Sequence, residues 1–489
     1  MDHIRGILAA VPATWPSTKS ATNAYDAAIK QHTAMLVKSA AEIRAAVLSN
    51  PEPFLETLDP SSHSIGYLFV LENLLEQFDP ASPISQAAIL DKVVEFILHF
   101  DIVQIRYYGQ PMLALLEKIG SGRLFPPLVA VELLSTAILR LDPSGSLFTS
   151  THFLLAKLAY NTNTVEAALQ VLDCDILLFP NMGHSNDGKL LCEPSIAPAS
   201  YISTQTGLTD TIRQSTVLEY DHIRGLAYMS SGKWSKAQAA FEKVISHPSK
   251  DKGVSKIMVE SHKRWVLVGL LSQGRSPTLP YYTSGPATAC YKTTGRPYIN
   301  IAEAFSNAEA VKLRSLIEKS TLIWEEDGTS SLVAEVLSSY QKWQIIGLRQ
   351  VYQRVDISKI RTMTLNALTG QPLANDEEVL ALVNQMLQSG MLHGQIEQGI
   401  RENYLSFREN EDAMCEAEFA KQIAHSHHTI DLLGNQYQLM NERLGGSKEY
   451  LKHVFREQKR ADKDNTDAGV GFDTQIEDED LMAGIVPHT

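Results

Sequence analysis

The residues best suited to chemistry in this chain are three histidines in one run, His425-Ser426-His427-His428. A His-x-His pair is one way that zinc proteases hold their metal, and such a site needs three converging protein ligands. In those enzymes a Ser and then an Asp follow at fixed distances. The corresponding positions here are Asn435 and Gln438, so the carboxylate ligand is missing. Two histidines two residues apart on a continuous helix also point to different faces. The run is read as the polar face of a helix, and no catalytic residue, metal ligand or cofactor site is assigned. No Gly-rich phosphate loop of the Walker type and no Gly-x-Ser-x-Gly elbow occurs; GSGRLFPP at 120–127 lacks the Lys-Ser/Thr it would need.

Charge excludes a second class. The net charge is −13, and −7 of it falls between Ala461 and Thr489, where eight acids face Lys463 alone. The remaining body is mildly acidic, which does not suit a general nucleic-acid binder. The cluster His262-Lys263-Arg264 with Lys252 and Lys256 could meet an acidic partner, but a solvated helix face is the commoner explanation. Arg349, Arg354 and Arg361 are read as interface or solvent charges. Cys174, Cys192, Cys290 and Cys415 lie far apart without paired spacing, which fits free thiols in a reducing compartment. No apolar run approaches the roughly 20 residues a bilayer requires, and the start MDHIRGILAAVPATWPS is not read as a signal peptide.

The elements that carry these residues are helices throughout, and one stretch organises them. From Glu219 to Gly274 the residues Gly225, Tyr228, Ala237 and Phe241 fall on the Gly-x2-Tyr…Ala-x3-Phe spacing of a tetratricopeptide-type pair. Small residues at 225 and 237 let two antiparallel helices approach, and Tyr228 and Phe241 fill the groove between them. Ser231-Gly232 supplies the turn, Pro248 ends the second helix, and a third helix follows through Trp265 and Leu271. Upstream, helices are expected over 23–48, 63–78, 84–103 and in a pair from Pro111 to Leu141 that turns at Gly120–Gly122. A weaker copy of the pair begins near Phe153, with Tyr160 for Tyr228, Ala168 for Ala237 and Leu172 for Phe241. Consecutive pairs of this kind build an α-solenoid. The stretches 181–216 and 275–297 are read as long surface loops, followed by helices at 299–323 and 330–354.

The pattern changes after Val355. Asp356 caps a short helix over Ile357–Leu368, and Asn375 or Asp376 caps a second over Glu377–Gln388. Two extended segments follow, Leu392–Glu397 and Tyr404–Phe407. Helix, helix and two-stranded wing is the order of a winged helix. The helix that would enter a DNA groove opens with Asp376, Glu377 and Glu378, and no Lys or Arg occurs from Gln371 through Ile400. Acids there complement the helix dipole and repel phosphate, so nucleic acid is not expected as a partner. One long helix, about Glu411 to Leu444, carries Phe419, Ile423, Ile430, Leu433, Tyr437, Met440 and Leu444, mostly in alternating steps of three and four, the stripe of a helix bundle. Gly445-Gly446 interrupts it, and the acidic tail beyond is expected to be disordered.

Helical pairs, a winged helix and a bundling helix, in that order, resemble the PCI family, the scaffold subunits shared by the proteasome lid, the signalosome and a translation-initiation complex. The segments GLAYMSSGKWSKAQAAFEKVISHP, KIMVESHKRWVLVGLLSQGR, LVAEVLSSYQKW and EVLALVNQMLQSGMLHGQIEQ are similar, in order, to the signalosome branch of that family. The turn after Gln398 reads GIRENYLSF and departs from the regular wing of the family. The resemblance implies an all-α chain with a helical-repeat solenoid at 1–210, the helical part of a PCI domain at 211–335, its winged helix at 336–408, a bundling helix at 409–446, and a short helix with acidic tail at 447–489. It also implies a non-catalytic scaffold in the cytoplasm and nucleus. The complex would remove the ubiquitin-like protein Nedd from cullin ubiquitin ligases, its metalloprotease activity lying in a different subunit. Its expected partners are other PCI subunits, met through a wing edge (Leu392, Gly394, Ile396, Leu405, Phe407) and through the helix stripe (Phe419, Ile423, Ile430, Leu433, Tyr437, Leu444). A proteasome-lid subunit is the alternative within the family, and a free-standing repeat adaptor that binds peptides is the alternative outside it.

Overall fold

A computed structural model describes residues 2–11, 19–49, 52–76, 83–180, 190–193, 196–248, 253–398, 403–407 and 416–466. The chain divides into two compact units, Met1–Asp412 and Ala413–Thr489.

The first unit is a stack of helices over one continuous apolar core. The expected N-terminal helices form with shifted bounds. The stretch 23–48 splits into Lys19–Lys38 and Ala40–Ser49, and the next two run Ser64–Glu76 and Pro83–His99. SIGYLFVLENLLE at 64–76 is apolar on nearly every side and is accordingly buried on nearly every side. Gly109–Gly120 and Pro127–Leu141 form the pair expected between Pro111 and Leu141, the second helix starting at a proline that lacks only an amide the first turn does not use.

The organising pair is Gln214–Ser230 with Trp234–Ile245, followed by Lys256–Gln273. Phe241, Ala237 and Tyr228 are buried. A Cβ on Gly225 would lie 2.5 Å from Phe241 Cε1, which is why only glycine fits there. The Tyr228 hydroxyl donates to Leu172 O at 2.6 Å and lies 2.9 Å from Asp173 Oδ1, so this side chain also fastens the pair to the preceding repeat. Gly232, at φ 68°, closes the turn. Its amide donates to Met229 O and that of Lys233 to Tyr228 O, the paired bonds of a Schellman cap.

The same two bonds recur at Asn163, Ala308 and Gly328, each with positive φ. They give the repeat a register that corrects the sequence reading. Setting Asn163 on Gly232 places Ala159, not Tyr160, opposite Tyr228; Ala159 is buried and Tyr160 is 39% exposed. Ala168 and Leu172 keep their expected places against Ala237 and Phe241, and both are fully buried. The turn at Ala308 and a second break at Ser320 divide the helix expected over 299–323 into Arg296–Ser306, Ala310–Lys319 and Thr321–Glu326.

Of the two long stretches read as surface loops, 275–284 is an irregular surface segment as expected, with Tyr281 98% exposed, but other described parts of both pack into the stack. Within 181–216, residues 181–189 and 194–195 lie outside the described residues, but Tyr201, Ile202 and Leu208 are core. The Tyr201 hydroxyl donates to Leu141 O, and the Arg106 guanidinium sits 3.9 Å over its ring while donating to Leu191 O and Glu193 O. Within 275–297, Gly285–Thr294 is a helix whose Tyr291 is buried and donates to Ile245 O at 3.0 Å.

Asp221, on the Gln214–Ser230 helix, has its pKa pushed up to about 6 by burial, against the partial opposition of Lys243 and Arg224. A raised carboxyl pKa means that the folded state favours the protonated form, so its stabilising contribution is complete below the unfolded pKa near 3.8. That contribution is lost as pH rises through about 6. Asp221→Asn is therefore expected to raise stability at pH 8 by on the order of 2–3 kcal/mol and to leave it unchanged at pH 3.5. Urea denaturation at the two pH values checks this; an equal effect at both, or a loss at pH 8, would contradict it.

Beyond Ser330–Leu348 come strand β1 (Arg354–Asp356), helices Ile357–Met363 and Asp376–Gln388, and strands β2 (Gly394–Gln398) and β3 (Asn403–Phe407). The strands form one antiparallel sheet in the order β1-β3-β2. Strand β1 had no signal in the sequence, being three residues with one apolar side chain. The helix expected to reach Leu368 stops at Met363 because Thr364 is extended. Asp356 and Asn375 occupy the cap positions without a side-chain capping bond. A small core of Ile345, Val355, Ile360, Val379, Val383 and Leu405 holds helices to sheet.

The described residues of the second unit form two helices, Glu416–Gly445 and Lys448–Thr466. Residues 411–415, in the expected start of the long helix, and the tail from Asp467 lie outside the described residues.

Candidate interaction surfaces

Of the five residues expected at the wing edge, the sheet separates two roles. Strand β3 is central: Leu405 pairs with Val355 on one side and Ile396 on the other, and its side chain is fully buried. Leu392 is buried as well, and Phe407, opposite Gly394, is half-buried against the small core. The free edges are β2, with Gly394 and Ile396, and β1. An edge strand offers unpaired amides and carbonyls to a neighbour's strand. A Cβ on Gly394 would sit 2.6 Å from Ser406 O of β3, so glycine lets the two strands approach there. On the other face of the sheet Arg354 pairs with Glu397 at 2.6 Å, so Arg354 spans from β1 to β2 across Tyr404 and Ser406.

The stripe residues Phe419, Ile423, Ile430, Leu433, Tyr437, Met440 and Leu444 are all on the 30-residue Glu416–Gly445 helix, with exposures from 46% to 68%. Among the described residues of this unit nothing covers that apolar stripe, which makes it a candidate contact surface. The following helix has a second seam that the sequence reading passed over: Tyr450, Leu451, Val454 and Phe455 are 38% to 61% exposed. Its signal was present in KEYLKHVF, where apolar residues recur at i, i+1, i+4 and i+5.

The other candidates resolve into packing. His425, His427 and His428 are exposed on the long helix, and His427 Nδ1 lies 3.1 Å from Asp431 Oδ2. Among the described residues no group of three His, Cys, Asp or Glu side chains converges as a metal site would require. Of the basic cluster, Lys252 lies outside the described residues and Lys256 is exposed, whereas His262, Lys263 and Arg264 are packed into the stack. His262 is buried and stacked on Tyr291, with ring centroids 4.4 Å apart, and burial pushes its pKa down to about 4, so it is neutral at pH 7. Lys263 bonds Asp327 at 2.6 Å and Glu260 at 3.0 Å, while Arg264 reaches Glu260 and Asp327 O. Burial works against the charge of Lys263, but those two carboxylates outweigh it and hold its pKa above the ordinary lysine value. Asp327 also accepts from the Tyr298 hydroxyl at 2.7 Å, so the cluster clamps three helices of the stack together. Arg361 lies 3.2 Å from Asp376 at the head of the acidic helix.

A helical-repeat stack followed along the chain by a small helix-and-sheet module and two further helices is the architecture of a PCI-type repeat protein. The family model for COP9 signalosome complex subunit 3, N-terminal helical repeats, matches residues 26–286. Over nearly its whole length the chain is similar to curated proteins called COP9 signalosome complex subunit 3. The Neurospora crassa protein is 36% identical over 455 residues, covering 90% of this chain and 91% of that protein. The Emericella nidulans protein is 27% identical, covering 88% and 89%, and the Arabidopsis thaliana protein 26%, covering 86% and 87%. The chain belongs to the COP9 signalosome complex subunit 3 family.

Proposed function

We propose that this chain is a non-catalytic scaffold subunit of the signalosome, the complex that removes Nedd from cullin ubiquitin ligases, and that its interfaces are strand β2 and the stripe of the long helix. The observation that carries the reading is the stripe itself. Seven large apolar residues exposed along one 30-residue helix would be a liability in a monomer and are a bundle surface in an assembly. The order Ser330–Leu348, β1, two helices, β2, β3 supports a winged helix whose β2 edge adds to a neighbour's sheet. Its second helix begins with three acids, which favours protein over nucleic acid as the partner. Among the described residues no helix is long and apolar enough to cross a membrane, and we place the complex in the cytoplasm and nucleus. The metalloprotease belongs in this reading to a neighbouring subunit.

The test is a tagged pull-down of the full chain, with the recovered proteins identified by mass spectrometry. A stoichiometric set of PCI subunits with a metalloprotease and cullins, and without proteasome ATPases, is the expected result. Recovery with those ATPases would move the chain to the proteasome lid, and a clean monomer would end the scaffold reading.

A further inference from the structure

The Lys448–Thr466 helix has a second face beside its apolar one. Lys448, Lys452 and Arg456 stand at i, i+4 and i+8, one row along the helix, and the three are exposed. Among the residues whose side chains are described, none of the three has an ion-pair partner. Phe455, three residues beyond Lys452, joins this cationic row to the apolar face of Tyr450, Leu451 and Val454. A ligand for the combined face must be acidic and apolar together.

The chain itself carries such a segment directly after the helix. Residues 467–489 contain six acids and no Lys or Arg, with Glu477-Asp478-Glu479-Asp480 flanked by Phe472, Ile476, Leu481 and Met482. Gly469 and Gly471 lie between the helix and these residues, where a reversal of the chain needs a backbone free of side-chain constraint. The lengths agree. The row from Lys448 to Arg456 is about 12 Å at 1.5 Å per residue, and Asp473 to Asp480 spans at most about 25 Å when extended.

We propose that in the free chain the acidic segment 467–489 folds back on the Lys448–Thr466 helix, its carboxylates against Lys448, Lys452 and Arg456 and its apolar residues over Tyr450, Leu451, Val454 and Phe455. A second copy of the helix would bring the same cations against this row, so like charges disfavour it as the occupant. The apolar contact supplies most of the affinity, since exposed ion pairs contribute roughly 0–1 kcal/mol each, while the charges select the antiparallel register and make the contact salt-sensitive.

Zero-length carbodiimide cross-linking of the full chain tests this, with light and isotopically heavy chains mixed and the linked peptides identified by mass spectrometry. The expected links join Lys448 or Lys452 to carboxylates of Glu477–Asp480 within one chain, and they weaken in 1 M salt. Lys448→Glu with Lys452→Glu removes them, and adding Glu477→Lys with Asp478→Lys restores links of reversed polarity. Lys448 and Lys452 are exposed, so their replacement leaves the helical stack untouched. Absence of the links in the unsubstituted chain, links only between light and heavy chains, or failure of the charge swap would each overturn the proposal. So would full-chain binding to phosphatidylserine vesicles that is no stronger after Glu477→Lys with Asp478→Lys, because the helix face would then be open to a membrane rather than covered by the tail.

Discussion

Replacing Leu433 with Glu is expected to remove this chain from its complex while leaving the helical stack folded. Leu433 sits mid-way along the stripe and is 46% exposed within its own unit, so its substitution takes nothing from the core that holds residues 1–412. In a bundle the same position is buried against a neighbour's apolar residues. A carboxylate there must be desolvated without a partner or must be protonated, and losing a central apolar anchor typically costs at least about 2 kcal/mol more. Taking about 3 kcal/mol as the combined cost, incorporation falls roughly a hundredfold. Pull-down of the Leu433→Glu chain should recover few or no other subunits, with a melting curve of the stack unchanged from the parent. If Leu433→Glu assembles normally, the long helix is not a bundling helix.

The second large effect concerns the fold. Gly225→Val is expected to destabilise the stack by about 3 kcal/mol or more, the upper end for overpacking a filled interior. Its Cβ would already lie 2.5 Å from Phe241 Cε1, and Phe241 has no exposed surface into which to retreat. Chemical denaturation measures the loss; a change below about 1 kcal/mol would mean that the helix pair yields more readily than close packing allows. The preceding repeat indicates the rescue. In the register set by the turns at Asn163 and Gly232, Ala156 stands where Gly225 does and Leu172 where Phe241 does, a larger residue facing a smaller one. Gly225→Ala with Phe241→Leu copies that combination, and should cost less than the two single changes added together.

The stability of this interface depends on spacing that the chain displays openly. Gly225, Tyr228, Ala237 and Phe241 all take the places their periodicity assigns, because the helical period and the size of a residue are local properties. The same is true of the long helix, whose stripe is legible at three-and-four spacing, and of the acids that open Asp376–Gln388. The family likeness carried by four short segments was also present in the residues themselves.

What escaped the sequence was decided by distant partners. Tyr160 matched Tyr228 by residue type, yet the turn at Asn163 sets the register one residue earlier and turns Tyr160 to solvent. Residues 196–213 look like loop because they are rich in Gly, Ser, Pro and Thr, but Leu141 O and Arg106 lie ready to hold Tyr201 in the core. His262-Lys263-Arg264 reads as a charged patch until Asp327, some sixty residues on, arrives to neutralise it. Strand β1 is too short to announce itself, and only its pairing with β3 makes Leu405 central and leaves β1 and β2 as the two edges. Helical period, residue size and charge sign are written along the chain; whether a polar or aromatic side chain faces water or a partner is settled only when segments far apart in sequence meet, because burial and pairing are properties of the contact and not of the residue.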